Sequence, residues 1–294
     1  MDTKWKKKGS GKWIYFGFTL IPVALYSFFY VYSVINGVRY SFTDWDGMST
    51  TFHIVGFKNY ISLFKNPNFW GSLKTTVCYS ILLVAGVVTL SLALSLSLNS
   101  LKNLEHLQNL YFCPCHDRGN HDRPYLGPAF YRVVPLVGQA LGIGWLSQSL
   151  LMTGKTALPA VVFVHIWQAV ALPTVIFVAG LQQIPDEQYE SAKMDGATPF
   201  QRFRFVTFPY LVPTLTVNLV LMIKQGFTSF DFPFALTGGG PVRSTEVIGI
   251  LIYNDAFKNM RFSMANAEAC VLFLVVAVFS LTQLKLTSKG GVHE

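Results

Sequence analysis

The stretch that decides the fold is Glu187–Pro213, which reads EQYESAKMDGATPFQRFRFVTFPYLVP. It is polar and lies between two apolar segments, each long enough to cross a bilayer. Pro185 and the carboxylates that follow it suit the first turn of a helix, and Gly196 can adopt the positive φ that ends one. Thr198 predicts the N-cap of a second helix, because a proline and then a glutamine at the third helical position follow it. The stretch therefore predicts two short helices joined by a turn.

The same stretch resembles the EAA loop of permease subunits of binding-protein-dependent ABC importers. That family's pattern is Glu-Ala-Ala, three residues, Gly, nine residues, then Ile-x-Leu-Pro. Ser191, Val206 and Phe208 depart from the commonest residues, each by a small-for-small or apolar-for-apolar change. The residues that the resemblance marks as the ATPase-coupling site are Glu190, Ser191, Ala192, Asp195, Gly196, Ala197 and Pro209.

The resemblance implies what this loop, residues 182–209, does. In the family it docks in a cleft of a cytoplasmic ATPase dimer, and a second permease subunit and an extracytoplasmic solute-binding protein complete the importer. The chain itself would then be a transport subunit and not an enzyme. It would bind no cofactor, since ATP is used by the partner ATPase. From the residues alone, an ordinary amphipathic loop between helices is the alternative.

Composition identifies the protein class. Of 294 residues, 51% are hydrophobic and 13% are charged, whereas a soluble globular protein carries about 25% charged residues. The sequence predicts an all-α polytopic membrane protein. The net charge of +8 comes from basic residues at the chain ends and in the loops. That distribution favours a membrane orientation with both termini in the cytoplasm and argues against nucleic-acid binding.

The apolar runs divide the chain into a basic cytoplasmic leader (1–12), a transmembrane permease domain (13–284) and a cytoplasmic tail (285–294). Five spans can be identified, at 13–38, 77–98, 157–181, 205–223 and 265–284. Five spans would place the two basic termini on opposite sides of the membrane. A sixth span near 110–133 removes this conflict, so we predict about six spans, of which the third has an anomalous sequence.

The anomaly is the segment CPCHDRGNHDRP, which begins at Cys113 and is too polar to span a bilayer. One alternative function is a membrane metalloprotein that uses Cys113, Cys115, His116 and His121, although this spacing matches zinc sites imperfectly. We expect instead that residues 113–138 arise from a locally shifted reading frame. A genuine insertion outside the bilayer is the remaining alternative.

Two further phrases resemble sugar-type permeases. Leu236–Pro241 reads LTGGGP and is followed by Thr245 and Glu246, as in the last external loop of that family. A G-x-x-N-[YF] phrase, which begins at Gly56 and includes Asn59, resembles the end of the family's first external loop. Together they imply a carbohydrate importer in a bacterial or archaeal cell membrane. A self-contained secondary transporter is the other alternative, but it predicts internal repeats that the sequence does not show.

A few polar residues lie inside the predicted spans. Gln168 and Asn218 are candidates for lining the substrate pathway, because polar groups in spans tend to face the interior. Either could equally hold helices together. His165 could be a proton relay or a ligand, but we expect a hydrogen bond from its side chain to a neighbouring helix.

Overall fold

The computed structural model describes residues 11–99, 132–140, 142 and 149–288. Within these ranges the chain is helical, with one isolated β-bridge between Thr43 and Ile54. The α-helices are α1 (Gly11–Tyr26), α2 (Tyr32–Ser41), α3 (Lys58–Lys65), α4 (Pro67–Asn99), α5 (Val134–Ala140), α6 (Ala157–Ala169), α7 (Ala171–Leu181), α8 (Asp186–Met194), α9 (Pro199–Arg202), α10 (Phe208–Phe227), α11 (Asp231–Thr237), α12 (Ile248–Tyr253) and α13 (Phe262–Ser288). Short π-helical segments occupy Ser27–Val31, Phe203–Thr207 and Asn254–Lys258.

Four continuous helical stretches in the described part of the chain are long and apolar enough to cross a membrane, and a bent helix pair makes a possible fifth. They are Phe16–Ser41, Pro67–Asn99, Pro199–Phe227 and Phe262–Gln283, with the pair Ala157–Ala169 and Ala171–Leu181. These five regions match the five spans expected from the sequence and confirm the all-α membrane class. The predicted sixth span near 110–133 lies almost entirely outside the described residues.

The fifth region is broken at Val170, where α6 and α7 meet at an angle of 48°. Pro173 explains the break, because its ring has no N–H to bond the carbonyl four residues earlier and clashes with it. The carbonyl of Pro173 itself accepts a hydrogen bond from the Asn218 side chain of α10, at 3.3 Å.

The chain divides into two compact units, residues 1–63 with 255–270 and residues 64–254 with 271–294. In the first unit, Asn59 donates from its amide to the carbonyls of Ser41 and Thr43, at 2.8 and 2.7 Å. Tyr60 hydrogen-bonds the Ser41 hydroxyl at 2.7 Å, and Gly56 has φ +59°. These bonds tie the segment after α2 back to the end of that helix and give the G-x-x-N-[YF] phrase a structural reason.

In the second unit, α4 packs against α6, α7 and α10. Its buried side carries small hydroxyl residues, including Ser72, Thr76 and Ser80. The hydroxyls of Thr76 and Ser80 donate back to carbonyls four residues earlier, both at 2.7 Å. The serines and leucines that alternate between 91 and 98 lie within the same helix, which extends to Asn99.

Small residues let the helices of this unit approach closely. A Cβ placed on Gly226 of α10 would lie 2.9 Å from the Cα of Ser80, which is backbone of α4. A Cβ on Gly180 of α7 would lie 2.6 Å from the Thr214 methyl group of α10. Close backbone approach of this kind is typical of packed transmembrane helices.

The anomalous segment yields a prediction about the gene. If residues 113–138 arise from a shifted frame, translation of the other two frames across codons 110–140 will yield about 20 consecutive apolar residues, the length that a span requires. Sequencing of the coding region checks this. Of residues 113–138, the structure describes 132–138, and these are helical. If neither frame encodes an apolar run, the segment is native, and zinc binding to Cys113, Cys115, His116 and His121 becomes the question to measure.

Candidate functional site

The predicted coupling loop begins where α7 ends, and the protein interior anchors its base. Ile184 is buried in the turn that follows α7, and the hydroxyl of Tyr189 in α8 hydrogen-bonds that of Thr207 at 2.9 Å. An apolar cluster holds the base in place; its buried members are Phe177, Leu181, Ile184 and Leu211, with Tyr189 and Val206 packed against them. These side-chain contacts connect the loop to α7 and α10.

The first helix of the loop, α8, ends as the sequence predicts. Gly196 has φ +73°. The Ala197 N–H donates to the Ala192 carbonyl at 2.9 Å, and the Gly196 N–H donates to the Lys193 carbonyl at 3.0 Å. This pair of hydrogen bonds is the Schellman motif, which satisfies the last carbonyls of a helix and reverses the chain.

The second helix, α9, also starts as predicted. Thr198 is its N-cap and Pro199 its first residue. The Gln201 N–H donates to the Thr198 hydroxyl at 3.4 Å, while the Thr198 N–H donates to the Gln201 side-chain oxygen at 2.7 Å. This reciprocal capping box fixes the start of the helix. However, α9 is not a separate short helix, because it continues through the π-helical segment Phe203–Thr207 into α10.

The surface of the loop is exposed. Glu190, Ser191, Asp195 and Gly196 are exposed, while Ala192, Ala197 and Pro209 are half-buried. Among the residues that the structure describes, Glu190 makes no ion pair. Its carboxylate is thus available to a basic group on a partner.

Three large apolar side chains on this surface were not among the residues that the sequence singled out. Met194 is 88% exposed, Phe200 74% and Phe205 75%. Met194 and Phe200 precede the predicted span 205–223, whereas Phe205 is its first residue, where an exposed apolar side chain can face lipid. Large apolar groups on a water-exposed surface mark contact sites. We define Met194 and Phe200 as the apolar docking residues of the loop.

The LTGGGP phrase forms a turn after α11 that hydrogen bonds from Thr245 hold in place. Gly238 and Gly239 have φ values of +60° and +95°. The Thr245 hydroxyl donates to the Gly240 carbonyl and also bonds the Thr237 hydroxyl, each at 2.7 Å. The phrase therefore holds a specific loop shape.

Glu246, at the end of the phrase, ties this loop to α4. It is buried, pairs with Arg243, and accepts a hydrogen bond from the Ser72 hydroxyl at 3.0 Å. The Ile248 N–H at the start of α12 donates to the Thr76 hydroxyl at 2.9 Å. The acidic residue thus has a structural role that composition alone does not reveal.

His165 makes the interhelical hydrogen bonds that the sequence predicts. It is buried in α6, with Nδ1 2.7 Å from the Tyr79 hydroxyl of α4 and Nε2 2.8 Å from the Gln225 amide of α10. Its ring stacks on Phe232 of α11, with 4.4 Å between centroids and 22° between planes. One residue therefore links four helices.

The two candidate pathway residues occupy different environments. Asn218 is fully buried in α10 and bonds Pro173 of α7, which favours the alternative that it holds helices together. Gln168 is half-buried on α6. Their role in a pathway stays a prediction.

The alternative metal site, Cys113, Cys115, His116 and His121, lies outside the described residues. Within residues 11–99, 132–140 and 149–288, no group of three or more His, Cys, Asp and Glu side chains could hold a metal ion.

A capped, exposed helix and turn between two membrane-spanning regions is the arrangement that the resemblance to ABC permease subunits implies. The sequence pattern of the family "Binding-protein-dependent transport system inner membrane component" matches residues 125–286. The chain belongs to this family: it is the inner-membrane subunit of an ABC importer that works with a solute-binding protein. The match begins inside 113–138, and the origin of that segment stays a prediction.

Relatives and a solved structure agree with this assignment. The chain is 37% identical to the multiple sugar-binding transport system permease protein of Streptococcus mutans, over 95% of this chain and 97% of that one. It is 29% identical to the sn-glycerol-3-phosphate transport system permease protein of Agrobacterium fabrum, over 83% of each chain. A crystal structure of a bacterial ABC transporter that imports alginate superimposes with a TM-score of 0.80 at 21% identity, over 95% of this chain and 96% of that chain. The last comparison confirms the fold.

Proposed function

We propose that this chain pairs with a second permease subunit and with a cytoplasmic ATPase dimer to import a sugar or oligosaccharide. The exposed, capped loop from α8 to α9 carries this proposal. ATP binds and is hydrolysed on the ATPase, and this chain binds no cofactor. The similarity to a sugar-transport permease over nearly the whole chain supports the substrate class.

The loop geometry supports a mechanical role. The capping box and the Schellman motif make α8 and α9 move as one body. When the ATPase closes, it would push on Glu190 and on the apolar docking residues. The Tyr189–Thr207 bond and the buried cluster around Ile184 then pass the movement to α7 and α10.

Reconstitution tests the proposal. The complete importer in proteoliposomes, with its binding protein outside and ATP inside, is offered radiolabelled maltose, trehalose or glycerol 3-phosphate. We expect ATP-dependent uptake of at least one sugar and none of the phosphate ester. Uptake without the ATPase would identify a secondary transporter, and uptake of glycerol 3-phosphate alone would refute the sugar assignment.

Orientation gives a separate prediction. We propose that both termini and the coupling loop face the cytoplasm, since the basic leader, the basic tail and Arg202 with Arg204 favour that side. We replace Lys193 or Val242 with cysteine, because Lys193 is exposed on α8 and Val242 is 98% exposed in the LTGGGP loop. An impermeant maleimide added to intact cells should label position 242 and reach position 193 only after permeabilisation. The reverse pattern would place the loop outside and rule out its contact with the ATPase.

A further inference from the structure

The outer surface of α4 carries a groove for which the coupling mechanism gives no role. The groove is shallow and open to the outside, and it is formed by side chains on one face of this single helix. Its lining residues are Trp70, Leu73, Lys74, Val77, Cys78, Ile81 and Leu82. All of them are exposed or half-buried, so the interior of the second unit leaves the groove open.

Polarity changes sharply along this groove. Lys74 is exposed and, among the residues that the structure describes, makes no ion pair. Beyond Lys74, toward the middle of α4, every lining residue is apolar. The groove therefore has a cation at one end and an apolar surface at the other. This pattern is complementary to an anionic lipid, which has a charged headgroup and apolar acyl chains.

The length of α4 sets the depth of each end. Its 33 residues extend about 50 Å, compared with a hydrocarbon core of about 30 Å. The charge-free apolar run begins at Val77, so Lys74 lies about 4.5 Å outside it, at the level of the lipid headgroups. Ile81 and Leu82 lie on the hydrocarbon side. A phosphate on Lys74 would thus leave an acyl chain beside these apolar residues.

Trp70 closes the headgroup end and is held in place. Its indole N–H donates to the Phe64 carbonyl at 2.9 Å, and its ring packs against Phe64 and Phe69 with centroids 6.2 and 5.7 Å away. Tryptophan is favoured at the membrane interface, where an apolar ring and a polar N–H are both satisfied.

We propose that the Trp70–Leu82 groove of α4 binds one anionic phospholipid, with its phosphate on Lys74 and one acyl chain along Val77, Cys78 and Ile81. The lipid belongs to the leaflet at the Trp70 end of α4, which is the outer leaflet in the orientation proposed above. Lipid binding is measured independently of transport, so the two proposals can fail separately.

Native mass spectrometry of the assembled importer, titrated with phosphatidylglycerol or phosphatidylcholine, tests this site. We expect one saturable phosphatidylglycerol that phosphatidylcholine does not replace. Lys74→Gln should weaken its binding about fivefold, the effect of one lysine near an anionic headgroup. Cys78→Phe fills the groove without altering its charge and should abolish saturable binding. Lys224→Gln removes an exposed lysine of α10 and should leave binding unchanged.

Two results would overturn the proposal. Equal retention of both lipids would mean that the groove takes ordinary bilayer lipid without selection. A helix of the partner subunit could also fill the groove, and Cys78 reports on this because it is exposed there. In the assembled importer, added phosphatidylglycerol should slow the reaction of Cys78 with a membrane-permeant maleimide, and phosphatidylcholine should not. If Cys78 reacts only in the separated subunit, a protein and not a lipid occupies the groove.

Discussion

Replacing Gly196 with proline should uncouple ATP hydrolysis from transport while the subunit stays in the membrane. Gly196 has φ +73°, whereas proline requires about −65°. The substitution also removes the N–H that donates to Lys193 at 3.0 Å. Proline in an incompatible backbone position costs about 3 kcal/mol, so the turn between α8 and α9 should not form. Uptake should then fall about tenfold or more. Proteoliposome uptake and ATP hydrolysis, measured together, check the result.

Gly196→Asn is the matched control. Asparagine tolerates the left-handed region, and a Cβ at this position would meet no atom within 4 Å. We therefore expect near-normal uptake for this variant. Equal losses in the proline and asparagine variants would show that the side chain, and not the backbone turn, matters.

A charge reversal at the same loop probes docking and not folding. Glu190 is exposed on α8 without an ion-pair partner among the described residues. We expect Glu190→Lys to reduce binding of the ATPase dimer to the permease and leave the amount of membrane-inserted subunit unchanged. Co-purification of the ATPase measures this, and normal co-purification with normal uptake would rule out a contact at Glu190.

Gly226→Ala should destabilise the subunit itself. The new Cβ would lie 2.9 Å from the Cα, Cβ and Oγ of Ser80, so the backbones of α4 and α10 would have to separate. Overpacking of this kind costs about 1–3 kcal/mol. We expect a lower midpoint of thermal unfolding. Size-exclusion chromatography of the detergent-solubilised importer with fluorescence detection measures this midpoint.

Gly71→Ala controls for the loss of a glycine from a helix. Gly71 lies in α4, and its Cβ would meet nothing within 4 Å. Alanine is a better helix former by up to about 1 kcal/mol, so this variant should be as stable as the unaltered protein or more so. If both alanine variants unfold alike, close approach of α4 and α10 does not limit stability.

The sequence by itself determined the features that depend on neighbouring residues or on the solvent. Lipid leaves no partner for an exposed backbone, so long charge-free runs had to be helices. The capping box at Thr198 and the left-handed Gly196 were also predictable, because each depends on residues within a few positions. The same local pattern identified the coupling loop and, through it, the family.

Tertiary structure decided which distant residues meet. Tyr79, His165 and Gln225 form one hydrogen-bonded cluster although 146 positions separate the first from the last (225 − 79). No local pattern specifies that three helices will bring these groups together, because packing of whole helix faces sets their rotation and crossing. For the same reason only the structure revealed that Glu246 binds Ser72 and that Gly226 lies against Ser80.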